Sequence, residues 1–191
     1  MELSHKLENI NCDNVMNGLF LANERLISPK YLLGGMGDGG GCHPRDNIAL
    51  SWLSQKVDLS FDWYDNLMKC REDQTEWLAN LIIDNKKETE LPIVILGKTF
   101  KKETNLLTGS PSILLRNILE EKGEKVNMFD PWIDQTNPPL EKESIFFIGT
   151  NHDVFSDYKF PSGSIVIDPW RFIKSQENVK LISVGDSTIK S

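Results

Sequence analysis

Apolar positions along the 191 residues fall into two regimes. Up to about residue 88 they recur at three- and four-residue intervals, the spacing that lines one face of a helix. From about residue 91 they come in short β-branched runs separated by helical patterns. In the first regime the spacing predicts a helix over residues 11–24, with Val15, Leu19, Phe20 and Leu21 on one face and Asp13 in the first turn. Ser28-Pro29 closes it, because the residue before a proline is pushed out of the α region. A glycine-dense loop follows over 33–44, then the short apolar segment Ile48-Ala-Leu-Ser-Trp-Leu53. A long helix is predicted over about 62–86, with Trp63, Leu67, Cys70, Gln74, Trp77, Leu78 and Leu81 along one stripe. The polar stretch 84–90 reads as a linker.

In the second regime Leu91-Pro-Ile-Val-Ile-Leu-Gly97 is a continuous apolar run, as expected of a strand covered on both faces. Ser110-Pro111 opens a helix that runs to the turn at Gly123, with serine capping free N–H groups and proline suited to the first helical position. Further strands are predicted over 125–130, 144–149, 164–168 and 180–184. Strands alternating with helices at a period of roughly 30 residues imply right-handed crossovers and a parallel sheet. The expected class is therefore α/β, a parallel-sheet domain over 91–191 preceded by an all-helical segment over 1–88 that carries the loop 33–46.

Composition narrows the partners. The net charge of −7 disfavours a nucleic acid binder, whose affinity comes from clustered Lys and Arg displacing counterions. No run approaches the ~18 apolar residues that cross a bilayer, so no membrane partner is expected. Three cysteines, odd in number and widely spaced, argue against a disulfide framework and for a reducing, cytoplasmic setting.

Candidate chemistry concentrates in Gly34-Gly-Met-Gly-Asp-Gly-Gly-Gly-Cys42-His-Pro-Arg-Asp46. Glycines are used where the backbone takes positive φ or closely approaches a ligand. A thiol at the end of such a loop, beside His43 and Arg45, suits a thiolate nucleophile. A flexible surface loop with an incidental cysteine is the other reading of the same composition. Gly35-x-Gly37-x-x-Gly40 matches a dinucleotide fingerprint in form, but no apolar strand precedes it and Pro44 stands where a helix should be under way. The cysteines and His43 lack paired zinc spacing, so no metal is expected. Cys70, on the helical stripe, is expected to pack in the core. His152 follows the third strand, at the carboxyl edge where ligands gather in open α/β sheets, and the lysines after the first strand project over that edge.

Three segments in order carry a resemblance. Gly39-Gly-Gly-Cys42-His-Pro-Arg-Asp46, then Val94-Ile-Leu-Gly-Lys-Thr-Phe-Lys101 with Thr104 and Ser110-Pro111, then Met128-Phe-Asp-Pro131 and Ile165-Val-Ile-Asp168 with Arg171, resemble the signatures of the UDP-glucose/GDP-mannose dehydrogenase family. The likeness runs from about Ile10 to the end and implies a Rossmann-like nucleotide-binding domain after the distal part of the family's central helical region. It further implies oxidation of the C6 alcohol of a UDP-sugar to a uronic acid with NAD+, in polysaccharide biosynthesis, through a thioester on a cysteine matched by Cys42. Asp46 matches the residue that handles the hydrolytic water; Tyr31, Gly39, Phe100, Lys101 and Arg171 match substrate contacts, and Arg45 a cofactor contact. The family's NAD-binding domain and its catalytic lysine and asparagine have no counterpart here. The resemblance thus implies a chain inactive alone, pairing as a homodimer or with a partner carrying the NAD site; the alternative is a non-catalytic nucleotide-sugar-binding or dimerisation module. A thiol hydrolase built on Cys42 and His43 is a third reading, and an unfavourable one, because adjacent residues seldom point at each other.

Overall fold

The structure, a computed structural model, describes residues 2–22, 32–37 and 39–188. Five strands form one all-parallel sheet: β1 (Ile93–Leu96), β2 (Val126–Phe129), β3 (Ile145–Ile148), β4 (Ile165–Asp168) and β5 (Lys180–Ser183), in the order β2-β1-β3-β4-β5. Each predicted strand is present. Strands β1, β3 and β4 are buried at every position, which is why their sequences are continuous apolar runs instead of alternating ones.

The two sides of each strand feed different cores. Ile93, Ile95, Ile145, Phe147, Ile165 and Ile167 point to one face, under helix α4 (Trp63–Lys87) and helix α5 (Pro111–Glu121). Val94, Leu96, Phe146, Ile148 and Val166 point to the other, where Phe155, Phe160 and Ile173 from the connecting segments cover them. The expected regular alternation of strand and helix is therefore corrected. Only α5 is a crossover helix, a short 3-10 turn (Asp153–Asp157) stands between β3 and β4, and α4 supplies the rest of the helical layer from ahead of the sheet.

Local chemistry accounts for the helix starts. Ser110 accepts from the Ile113 N–H, with Pro111 at the first position of α5. Asp62 accepts from the N–H groups of Tyr64 and Asp65 at the start of α4. Two short helices come first, α1 (Glu2–Lys6) and α2 (Cys12–Phe20), the latter capped by Asn11. The helix predicted over 11–24 is thus α2, which ends at Phe20.

Three further expectations change. Helix α3 (Cys42–Lys56) absorbs both the end of the predicted loop and the apolar segment after it, so Pro44 lies in a first helical turn, where its missing N–H costs nothing. The stretch expected as a linker is helical as far as Lys87. Along α4 the buried residues are Thr75, Leu78, Ala79 and Ile82, whereas Trp63, Leu67 and Cys70 are exposed. The stripe predicted for α4 therefore packs only in its second half, which lies on the sheet and joins its core. Replacing Ile82, fully buried, with alanine is expected to cost about 2–5 kcal/mol in urea unfolding. Leu67→Ala, on the same helix but more than half exposed, is expected to stay within about 0.5 kcal/mol.

A candidate active site at the carboxyl edge of the sheet

The chain leaves β1 for the edge strand β2 and then returns across β1 to β3, so strand order reverses between β1 and β3. Open α/β sheets bind ligands outside the carboxyl ends of their strands at such a reversal. Two segments meet there: the loop after β1, carrying Phe100 and Lys101, and the glycine loop that ends in Cys42.

The glycine loop is packed along its described length. Met36 is buried in the core under α4. Gly35 lies flat on the Trp170 ring, and a Cβ there would come within 2.4 Å of it. Trp170 is itself fixed by donating its indole N–H to the Ile148 carbonyl at 3.1 Å, at the end of β3. Gly39 abuts the Phe100 backbone and Pro111, and the Phe100 ring lies against Gly40. The Gly40 N–H donates to the Gly109 carbonyl at 3.1 Å. Both glycines take positive φ, +92° and +72°, and a Cβ on Gly109 would sit 2.2 Å from the Gly40 oxygen. Only residues without a side chain allow this approach.

This clasp delivers Cys42 to the first position of α3 as a free, exposed thiol. The cap residue, Gly41, has no side chain to accept from the first N–H groups of that helix. Asp46 and Arg45, one turn on, are exposed and paired with each other at 2.8 Å. That hydrogen bond lowers the Asp46 carboxyl and raises the Arg45 guanidinium from their ordinary values.

The opposing loop is held from beneath by Asp130, at the end of β2. Its Oδ2 accepts from the N–H groups of Lys98 at 2.7 Å and Thr99 at 3.0 Å, and its Oδ1 from that of Trp132 at 2.9 Å. Burial pushes this carboxyl up, but the bonds from His152, Lys98, Trp132 and Thr99 outweigh it and hold it well below the usual carboxylate range. Lys101 is exposed, with its ammonium 5.2 Å from the centre of the Phe100 ring.

The structure thus brings Cys42, Gly39, Phe100 and Lys101 to one edge of the sheet. Arg171 is elsewhere engaged. Its Nε and Nη2 donate to the two carboxylate oxygens of Asp13, both at 2.7 Å, its Nη1 to the carbonyls of Pro169 and Val184, and its Nη2 also to that of Gly34. All five guanidinium protons are used, so the side chain pins α2 and the glycine loop to the sheet and keeps no donor for a substrate. Tyr31 lies outside the described residues. The packing of Cys70 in the core, expected from its stripe, is corrected: its thiol is exposed. Asp130 and Trp170 were not singled out as site residues by sequence. Both stand in an Asp-Pro-Trp step at a strand end, where the aspartate accepts the tryptophan N–H, and that repeated tripeptide is the signal that marks them. Among the described residues no three His, Cys, Asp or Glu side chains gather to hold a metal ion, and no helix is long and apolar enough to cross a membrane.

A parallel α/β sheet with a thiol loop clasped to its switch point defines the class. Residues 1–72 match the model of the UDP-glucose/GDP-mannose dehydrogenase family, central domain. The UDP-glucose 6-dehydrogenase TuaD of Bacillus subtilis is 24% identical over 157 residues, 81% of this chain and 33% of that protein. The GDP-mannose 6-dehydrogenase of Azotobacter vinelandii is 30% identical over 116 residues, 61% of this chain and 26% of that one. Among solved structures, a UDP-glucose dehydrogenase from Pyrobaculum islandicum superposes with a TM-score of 0.78 at 18% identity, covering 96% of this chain and 46% of the other. Over these spans the chain is similar to nucleotide-sugar dehydrogenases, the family its three segments resemble. It spans between about a quarter and a third of the length of these curated relatives and under half of the solved one.

The clasp makes a specific demand. Gly109→Ala is expected to destabilise the chain by about 1–3 kcal/mol and to speed exchange of the Gly40 amide. Gly123→Ala is the control, also at positive φ but with nothing within 4 Å of the added carbon; it is expected to cost the smaller, purely backbone amount and to leave Gly40 protected.

Proposed function

We propose that this chain is the thiol-bearing and nucleotide-binding part of a nucleotide-sugar dehydrogenase that converts the C6 alcohol of a UDP-sugar to a uronic acid. The observation that carries the reading is the exposed Cys42 thiol, held by a close-packed loop directly against the loop that presents Phe100 and Lys101. Lys101 supplies a mobile positive charge for the diphosphate, and Phe100 forms the wall between phosphate and thiol. The helical region 1–88 and the sheet region 91–191 then divide the work, one bringing the nucleophile and the other the nucleotide site.

In this reading Cys42 serves the second oxidation. An aldehyde offers no hydride until a nucleophile adds to its carbonyl carbon. The thiolate forms the C–S bond, the oxygen takes a proton, and the thiohemiacetal so formed carries a C–H that can leave as hydride. Loss of that hydride and of the hydroxyl proton gives a thioester. Water then cleaves the C–S bond, releasing the acid and the thiol, and Asp46 is placed one helical turn from Cys42 to take the water's proton.

NAD+ is the hydride acceptor of the proposed reaction, but the described residues do not fit a dinucleotide. The glycines at 35, 37 and 40 are stacked on Trp170, on α4 and on Phe100, which leaves no open cradle. Arg45, the expected cofactor contact, is turned to Asp46. The dinucleotide site therefore belongs to a further segment or to a partner chain. A surface for such an association is present on α3 and the start of α4. There Ile48, Trp52, Leu53, Val57, Phe61 and Trp63 are each at least 45% exposed, and a group of large exposed apolar side chains marks an interaction surface. Its occupant is a second copy or the partner that carries the NAD site.

The test is calorimetry together with turnover. UDP is expected to bind the isolated chain weakly, with Lys101→Ala weakening it about tenfold and Cys42→Ala leaving it unchanged. UDP-glucose and NAD+ are expected to give no NADH with this chain alone. Steady NADH production by the chain alone, or UDP affinity indifferent to Lys101, contradicts the reading.

A further inference from the structure

His152 is fully buried, and its ring nitrogens make contacts that assign the proton. Nδ1 lies 3.3 Å from the backbone nitrogen of Glu103, whose N–H points at it, so Nδ1 is an acceptor and carries no proton. Nε2 lies 3.1 Å from Asp130 Oδ2 and 3.2 Å from Thr99 Oγ1. The Thr99 hydroxyl has two acceptors for its one proton, the Lys101 carbonyl at 3.0 Å and Asp130 Oδ2 at 3.2 Å, and its oxygen can accept from the imidazole. With Nδ1 accepting the Glu103 N–H, the imidazole proton sits on Nε2, within reach of both Asp130 and Thr99.

These contacts fall on the two ends of one short loop. Asp130 fixes its start through the N–H groups of Lys98 and Thr99. His152 fixes its end through Glu103, which sits at a positive φ of 59°. Phe100 and Lys101 lie between, with the Lys101 carbonyl bonded by both Thr99 and Thr104 hydroxyls. An apolar side chain would fill the space between Trp132 and Phe155 equally well. It would leave the Glu103 N–H without this partner and remove one of the donors to Asp130. A neutral imidazole offers a donor and an acceptor across one rigid ring, which is what the two loop ends require.

We propose that His152 is a positioning residue: its neutral Nε2–H form, bonded to Asp130 and Thr99 on one side and to the Glu103 backbone on the other, sets the Phe100–Lys101 loop for an anionic diphosphate. The proposal rests on the reading of that loop as the nucleotide-sugar contact.

Long-range proton–nitrogen spectra of the full chain give a direct test. The chain has three histidines, and the His152 signals are identified by their loss in His152→Asn. Wild type is expected to show the His152 proton on Nε2 alone at neutral pH, with the Glu103 amide protected from exchange. In His152→Ala, Glu103 exchange is expected to rise at least about tenfold and UDP affinity to fall about tenfold, with the alkylation rate of Cys42 unchanged. His152→Asn, whose carboxamide oxygen lies close to the Nδ1 position, is expected to restore part of the Glu103 protection. A proton on Nδ1 in wild type overturns the proposal without any variant. So does unchanged Glu103 exchange in His152→Ala, or fast exchange there with UDP affinity intact. Should wild type show the Nε2 signature and a protected Glu103 yet bind no UDP, the nucleotide reading fails while the role of His152 in holding the loop stands.

Discussion

A backbone-to-backbone approach governs this molecule's chemistry. Where Gly40 meets Gly109, two glycines at positive φ let one loop donate directly to the other, with no side chain between them. Because the contact is made by main chain, it fixes position to within a hydrogen bond's tolerance and leaves side chains on both loops free to face outward. The thiol at the first turn of α3 and the ammonium after β1 are consequences of that closeness. Met36 in the core and Gly35 on Trp170 are the anchors that keep the approach from relaxing.

Below the clasp lies a layer of buried polar groups. Asp130, Thr99, Thr150 and His152 are all essentially inaccessible to water. Buried polar atoms are costly unless partnered, and here their partners are the N–H and C=O groups of the loop above. The Thr150 hydroxyl donates to the Thr99 carbonyl at 2.6 Å, so β3 holds the same loop that β2 holds through Asp130. A ligand-binding loop is ordinarily among the least stable parts of a fold. In this chain the loop after β1 is bonded from the ends of both strands that flank β1, which favours a pre-organised candidate site.

Much of this was legible in the residues. Continuous apolar runs announced the strands, Ser110-Pro111 the start of α5, and the glycine loop marked Cys42 as a candidate. What could not be read was set by neighbours distant in sequence. The first half of α4 carries the same spacing of apolar residues as the second, but only the second meets the sheet, so Trp63 and Cys70 are exposed while Leu78 and Ile82 are buried. Proline at 44 looked like a barrier to a helix and instead occupies the one turn that tolerates it. Arg171 matched a substrate contact, but its position beside Asp13, some 158 residues away, turns it into a strut. His152 stood out by location alone, and its partners Asp130 and Glu103 become visible only once β2 and β3 are placed on either side of β1.

The central claim is that Cys42 faces the sugar of a nucleotide held by the Phe100–Lys101 loop. Labelling with a UDP-sugar that bears a bromoacetyl group at C6 measures this most directly, because the chain carries a second exposed thiol, Cys70, as an internal control. Peptide mapping is predicted to find Cys42 alkylated in preference to Cys70, saturably and with protection by excess UDP. Equal labelling of the two cysteines, unaffected by UDP, would contradict the account.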